Sequence, residues 1–242
     1  SSLIKEIQNS ANSAVVVLNE VLQYDKIERK TLNLETTIVD IWDLVGTKIL
    51  EEFKLSAKNS KVKLNVAYNI TPGSGSDVER GALSQLYDFH MPAHVKNLRV
   101  CGDLPKIIQV LRNLISNALK FTPEDGMVVL YISYEYAVRN MTTDKKVKFK
   151  KQSTFEDEII TLKSGEVIQA TPSGYFQLAV KDSGVGMTED QLGKLFGEGV
   201  QFDPNVLQEG KGSGLGLFIA KNLVDQHKGS LSASSDGIGK GS

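Results

Sequence analysis

A single cysteine, Cys101, in 242 residues allows no internal disulfide, so this chain is not held by an oxidised framework and suits a reducing compartment. Histidine is nearly as scarce. His90, His94 and His227 are the whole supply, and no Cys/His cluster of metal-site spacing can be drawn from them. No apolar run approaches the roughly 18 residues a spanning helix needs; typical runs are no longer than residues 14–18. The N-terminus lacks the charged and apolar regions of a signal sequence. Charge of one sign is missing too: 28 basic and 29 acidic residues give a formal net charge of −1. That removes the broad basic surface nucleic acid requires, and no nucleic-acid partner is expected. The length suits one or two domains with a sizeable core. A cytoplasmic location is expected, and a longer protein carrying this segment is free to hold a membrane anchor outside it.

The most informative stretch is residues 109–122, Gln-Val-Leu-Arg-Asn-Leu-Ile-Ser-Asn-Ala-Leu-Lys-Phe-Thr. As a helix it gathers Ile107, Leu111, Leu114, Ile115 and Ala118 on one face and lines Gln109, Asn113, Asn117 and Lys120 along another. A carboxamide oxygen is a hard neutral ligand suited to Mg²⁺, and beside a polyphosphate it adds none of the negative charge of Asp or Glu. Taken alone, however, a polar helix face is more often merely solvated.

Two glycine-rich segments follow. Asp182-Ser-Gly-Val-Gly-Met187 follows the strand-like run 175–180 after a single lysine. Asp182 is therefore expected at a strand end, with Gly184 and Gly186 opening a turn that a flat group can approach. An aspartate there is either an acceptor for an exocyclic amine or an ordinary turn residue. The second segment holds Gly212, Ser213, Gly214, Leu215 and Gly216 ahead of an amphipathic helix over 218–227. Glycines before a helix expose backbone N–H groups to an anion at the positive end of the helix dipole. The spacing is neither a Walker loop nor a Rossmann fingerprint.

In this order, the asparagine run, the Asp182 box, the phenylalanine-bearing stretch 195–202 and the Gly212–Gly216 box resemble the catalytic domain of sensor histidine kinases. That domain belongs to the Bergerat-fold superfamily of gyrase-type, mismatch-repair and heat-shock chaperone ATPases. The resemblance covers about residues 98–231, and residues 18–29 are similar to the end of the second dimerisation helix in hybrid-type histidine kinases. It implies an α+β fold: a two-layer α/β sandwich with a mixed sheet and helices on one face, preceded by a dimerisation-type helix. Residues 1–30 would be part of the dimerisation and phosphoacceptor hairpin, and residues 31–242 the catalytic ATP-binding domain.

The resemblance further implies Mg²⁺ and ATP as cofactors. Asn117 would be the metal ligand, with Asn113 assisting the phosphates or the metal, Lys120 a phosphate contact, and Phe121 the aromatic against base or ribose. Asp182 would read the adenine amine in a pocket shaped by Gly184 and Gly186, and Gly212, Ser213, Gly214, Leu215 and Gly216 would meet the phosphates. Residues 197–211 would be a mobile lid, with Phe196 and Phe202 either lid anchors or core. The implied partners are an acceptor-histidine helix, a receiver domain and a second copy of the chain. None of the three histidines has the family's acceptor context, so the acceptor is expected outside this segment. Gyrase- and chaperone-type relatives carry a water-activating Glu where Asn113 stands. A clamp-type ATPase and a nucleotide-sensing regulatory module are the other two readings.

The first 21 residues repeat apolar side chains at threes and fours, Leu3, Ile7, Ala11 or Ser10, Ala14, Leu18 and Val21, a short coiled-coil-like seam. It would pair with a partner helix or fold back on the rest of the chain. An extended linker is expected at 31–35, a helix over 40–59 and a strand over 61–68. The stretches 71–96 and 135–172 depart from the family pattern, the second expected as a solvated loop with a basic run at 145–151. With no final strand after residue 242, one sheet edge is expected to lack a partner.

Overall fold

A computed structural model describes residues 2–41, 43–71, 79–83, 99–136, 158–170, 174–198 and 214–242. Helix α1 (Ser2–Glu28) is followed by strand β1 (Thr37–Asp40), a π-helical stretch (Asp43–Ile49) and helix α2 (Leu50–Asn59). Then come β2 (Lys63–Thr71), β3 (Glu79–Leu83), β4 (Arg99–Gly102), helix α3 (Leu104–Phe121) and β5 (Met127–Tyr136). The chain continues through β6 (Glu158–Thr161), β7 (Val167–Ala170), β8 (Gly174–Asp182), α4 (Glu189–Lys194) and α5 (Gly216–Gln226).

Four strands form the main sheet in the order β3-β2-β5-β8, with β2 and β5 parallel and the outer pairs antiparallel. The sheet is therefore mixed, as expected. Its register builds the core in rows. Val66 lies beside Leu130, which faces Val180, and Leu64 lies beside Val128, which faces Asp182. Val66, Val128, Leu130 and Ile132 are buried, and they pack with Leu44, Ile49, Leu111, Ile115 and Leu119 from the helical layer. Alternation along a strand puts every second side chain on this face. Asp182 is thus the polar end of an otherwise apolar row.

Three sequence expectations change. The helix expected over 40–59 starts after residue 40, because residues 37–40 pair antiparallel with β4, Ile38 opposite Cys101 and Val39 opposite Val100. Four residues are too few to show a strand by alternation, and pairing with a distant segment decides the state. The loop expected over 135–172 contains the β6–β7 hairpin, turned at Gly165 with φ +84°; the basic run 145–151 lies outside the described residues. Within 71–96, β3 pairs with β2, and the rest lies outside the described residues. Residues 232–242 add no strand beside β8, yet the Ser242 carbonyl accepts the Asp182 N–H at 2.8 Å.

Helix α1 does fold back at its C-terminal end. Ile27 and Leu32 pack on the cluster of Val110, Ile219, Ala220 and Leu223. Gln23 and Gln109 form a reciprocal amide pair. Earlier in α1, the seam residues Ile7, Leu18 and Val21 are exposed.

Candidate nucleotide site

Helix α3 sets the site. Asp103 is its N-cap and accepts the Lys106 N–H at 3.2 Å, with Pro105 in the first turn, where a missing N–H is harmless. Leu111, Ile115 and Ala118 are buried and anchor one face. Asn113, Asn117, Lys120 and Phe121 are half-buried along the other. Gln109, the first polar residue of the expected stripe, is occupied by Gln23 of α1.

Each end of that stripe is met by one glycine segment. At Asn113 the amide nitrogen donates to the Gly216 carbonyl at 2.8 Å, joining α3 to the first residue of α5. At Phe121 the carbonyl accepts the Val185 N–H at 3.2 Å. A Cβ on Gly184 would lie 2.4 Å from the Phe121 oxygen, and one on Gly186, at φ +66°, would lie 2.1 Å from the Gly237 oxygen. Only glycine permits so close an approach. Asn113 and Phe121 are eight residues apart on α3, or about 12 Å of helix. Asn117 and Lys120 fall between the two contacts.

Asp182 ends β8 and is half-buried. Its Oδ1 accepts the Gly184 N–H at 2.8 Å and its Oδ2 the Ser242 hydroxyl at 2.8 Å. Ser242 is a site neighbour that the sequence reading missed. It lies 60 residues away in sequence, with no local pattern to reveal it. Ser235 completes this wall, its hydroxyl donating to the Gly241 carbonyl at 2.6 Å and accepting the Met187 N–H at 3.0 Å.

The Lys120 ammonium stands 5.4 Å from the Phe121 ring centroid, close enough for cation–π attraction. Partial burial lowers its pKa from the ordinary lysine value. Gly214 has φ +75°, and no side-chain oxygen caps the N-terminus of α5. Gly212, Ser213 and Phe202 lie outside the described residues, as does nearly all of the expected lid 197–211. Glu198, at its start, accepts the Tyr24 hydroxyl at 2.6 Å. That hydrogen bond is the chief reason the Tyr24 pKa is pushed up to about 12. The Tyr24 ring also meets Phe218 of α5, centroids 5.7 Å apart.

His227 follows the last residue of α5 and bonds through both ring nitrogens. Its Nδ1 donates to the Leu223 carbonyl at 2.7 Å while Nε2 accepts the Asp103 N–H at 3.0 Å. It therefore links the end of α5 to the start of α3, an acceptor role that requires an unprotonated Nε2.

Chemically, the stripe places two amides and an ammonium between a carboxylate acceptor at one end and a helix N-terminus at the other. Such a row can hold a ligand with an amine-bearing ring and an anionic tail. Among the described residues no helix is long and apolar enough to cross a membrane.

The chain is similar to known proteins. Residues 102–242, more than half of the chain, match the family described as histidine kinase-, DNA gyrase B-, and HSP90-like ATPase. Histidine kinase P4 of Formosa agariphila is 29% identical over 228 residues, which are 93% of this chain and 12% of that protein. Hybrid signal transduction histidine kinase A of Dictyostelium discoideum is 25% identical over 239 residues, 99% of this chain and 9% of that protein. The chain thus spans only about a tenth of the length of these two relatives. The structure of Acinetobacter baumannii histidine kinase AdeS matches all of this chain and 81% of its own at a TM-score of 0.57 and 17% identity, a likeness of fold. Its match over residues 102–242 shows that this chain belongs to the histidine kinase-, DNA gyrase B- and HSP90-like ATPase family, and the two relatives named above are histidine kinases.

Proposed function

We propose that residues 31–242 are the catalytic ATP-binding domain of a histidine protein kinase and that residues 1–30 are the second helix of its dimerisation hairpin. The domain binds Mg²⁺-ATP and transfers the γ-phosphoryl group to a histidine on an acceptor helix outside this chain, in a two-component phosphorelay ending on a receiver domain. The observation that supports this best is the clamping of α3 between the two glycine segments, at Asn113–Gly216 and at Phe121–Val185. The exposed seam residues Ile7, Leu18 and Val21 agree with a second copy or a hairpin partner covering α1 in the whole protein.

Asp182 accepts the adenine amine, and Gly184 and Gly186 admit the ring to the backbone. Phe121 lies against base or ribose. Lys120 and the backbone of Gly212, Ser213, Gly214, Leu215 and Gly216 hold the phosphates. Asn117, assisted by Asn113, offers an amide oxygen to Mg²⁺. A Mg²⁺ ion held by the Asn117 amide would take its other ligands from phosphate and water, as Mg²⁺ favours. When bound, Mg²⁺ supplies neutralisation of phosphate charge. The protein groups contribute positioning and electrostatics: the acceptor imidazole nitrogen bonds to the γ-phosphorus, the bond to the bridging oxygen breaks, and ADP leaves.

The test uses γ-labelled ATP and an acceptor-histidine hairpin added in trans. Acid-labile, base-stable label is expected on the hairpin and none on the chain, since His90, His94 and His227 lack an acceptor context. Label on the chain, or release of phosphate to water with no transfer, overturns the reading.

A further inference from the structure

The segment between α1 and β1 is held from three sides. The Glu35 N–H donates to Asp103 Oδ2 at 2.9 Å. The Thr36 carbonyl accepts the Lys163 N–H of the β6–β7 hairpin at 2.6 Å. The Thr37 hydroxyl donates to the Gly102 carbonyl, at the end of β4, at 3.2 Å. The Lys163 ammonium also pairs with the Glu35 carboxylate. Residues 35–37 are thereby fixed against the start of α3, the end of β4 and the β6–β7 hairpin.

Asp103 is the centre of these ties. It is only 3% exposed, and a buried carboxylate persists only where its oxygens are satisfied. Here one oxygen caps α3 at Lys106, the other takes the linker N–H at Glu35, and its own backbone N–H goes to His227 at the end of α5. The linker, the helix bearing Asn113 and Asn117, and the helix beginning at Gly216 therefore meet at one residue.

We propose that Asp103 is a positioning residue that fixes the register of the linker 31–36 against α3, so that α1 and α3 move as one body. The Gln23–Gln109 and Tyr24–Glu198 contacts then follow from that register. The inference concerns α1 and α3 alone and stands whether or not the kinase reading does.

A helix cap and a linker tie can be separated chemically. Asparagine caps helices about as well as aspartate, but it has one acceptor oxygen and an NH₂ group. In Asp103→Asn the oxygen stays on the Lys106 N–H and the NH₂ faces the Glu35 N–H, so the cap survives and the tie is lost. Glu35→Pro removes the same bond from the donor side, and Glu35→Ala, which loses only the Lys163 pair, is its control. Spin labels at the exposed positions 19 and 116, in a Cys101→Ser background, report the α1–α3 distance by pulsed dipolar spectroscopy.

One narrow distance is expected in the parent and in Glu35→Ala, and a distribution broadened at least twofold in Asp103→Asn and in Glu35→Pro. The double variant should broaden no further, because both changes cut one bond. A narrow distance in both single variants overturns the proposal. So does broadening by Asp103→Asn that is matched by faster amide exchange throughout α3, the signature of a lost cap. Should Asp103→Asn fail to fold, Glu35→Pro measured against Glu35→Ala decides alone.

Discussion

Replacing Asp182 by asparagine tests the base-reading end of the site, and the structure says what the change does apart from any ligand. The carboxylate oxygens accept from the Gly184 N–H and the Ser242 hydroxyl, each at 2.8 Å. An asparagine keeps its oxygen on Gly184 and turns its NH₂ toward Ser242, whose oxygen lone pairs accept as readily as its hydrogen donates. No polar group is stranded. The fold is therefore expected to survive with a change in melting temperature close to zero.

Nucleotide binding is expected to change. An exocyclic amine that met a carboxylate now meets an NH₂ or a neutral oxygen already engaged. A lost charge-assisted hydrogen bond is worth ~1.5–3 kcal/mol, or about one to two decades in affinity. Guanine carries a carbonyl where adenine carries its amine, so the same substitution removes a repulsion toward GDP and supplies a donor. Calorimetry with ADP and GDP is the assay. ADP affinity should fall ten- to a hundredfold while the ADP-to-GDP preference narrows. Unchanged ADP affinity, or equal losses for both nucleotides, would show that Asp182 serves the turn and not the base.

Asn117→Ala is expected to weaken ADP binding more in Mg²⁺ than in chelator, and equal losses by calorimetry would move the metal elsewhere. Lys120, whose pKa burial lowers from the ordinary 10.5, must be an ammonium to hold phosphate. Affinity should therefore fall as pH rises through that lowered value, and Lys120→Arg should flatten the profile; a decline that begins only at the ordinary lysine value refutes this. The Tyr24 contact depends on a phenol proton with a pKa pushed from 10.0 to about 12. The raised value means that the contact's stabilisation is complete below about pH 10 and lost as pH rises through about 12. The difference absorbance titration between the parent and Tyr24→Phe should centre near the upper value, and a midpoint at the ordinary one removes the Glu198 contact.

What was legible in the sequence is what is local. The 3.6-residue period of α3 exposed both its apolar face and its amide stripe, and the β-rich run before Asp182 located a strand end. Contacts between distant segments were not legible. Nothing near residue 113 shows that its amide will meet Gly216, and nothing near His227 shows that it will accept an N–H from Asp103. Strand β1 is four residues long and exists only because β4 lies beside it. The β6–β7 hairpin did have a signal, two short Ile- and Val-bearing runs around Ser164-Gly165, a turn pair between strand formers. The charged runs beside it favoured a loop reading because solvation and disorder share that composition.

Asn113 carries the remaining step, from architecture to reaction type. A hydrolase of this family needs a carboxylate at that place to take a proton from water. Here the position holds an amide, whose nitrogen is already engaged by the Gly216 carbonyl at 2.8 Å. An amide has no proton-accepting capacity near neutral pH. A carboxylate would also set oxygen against oxygen at Gly216 and lose the tie between α3 and α5, a net cost of about 1–3 kcal/mol for the unsatisfied pair. Position 113 therefore holds no group that could activate water, and its amide is committed to a structural bond with Gly216. A nucleotide held along this helix has its phosphates positioned with no general base at Asn113 directed at water. An amide at this position is compatible with the proposed transfer of the γ-phosphoryl group, in which the nucleophile is an acceptor histidine on another helix and no water needs activating.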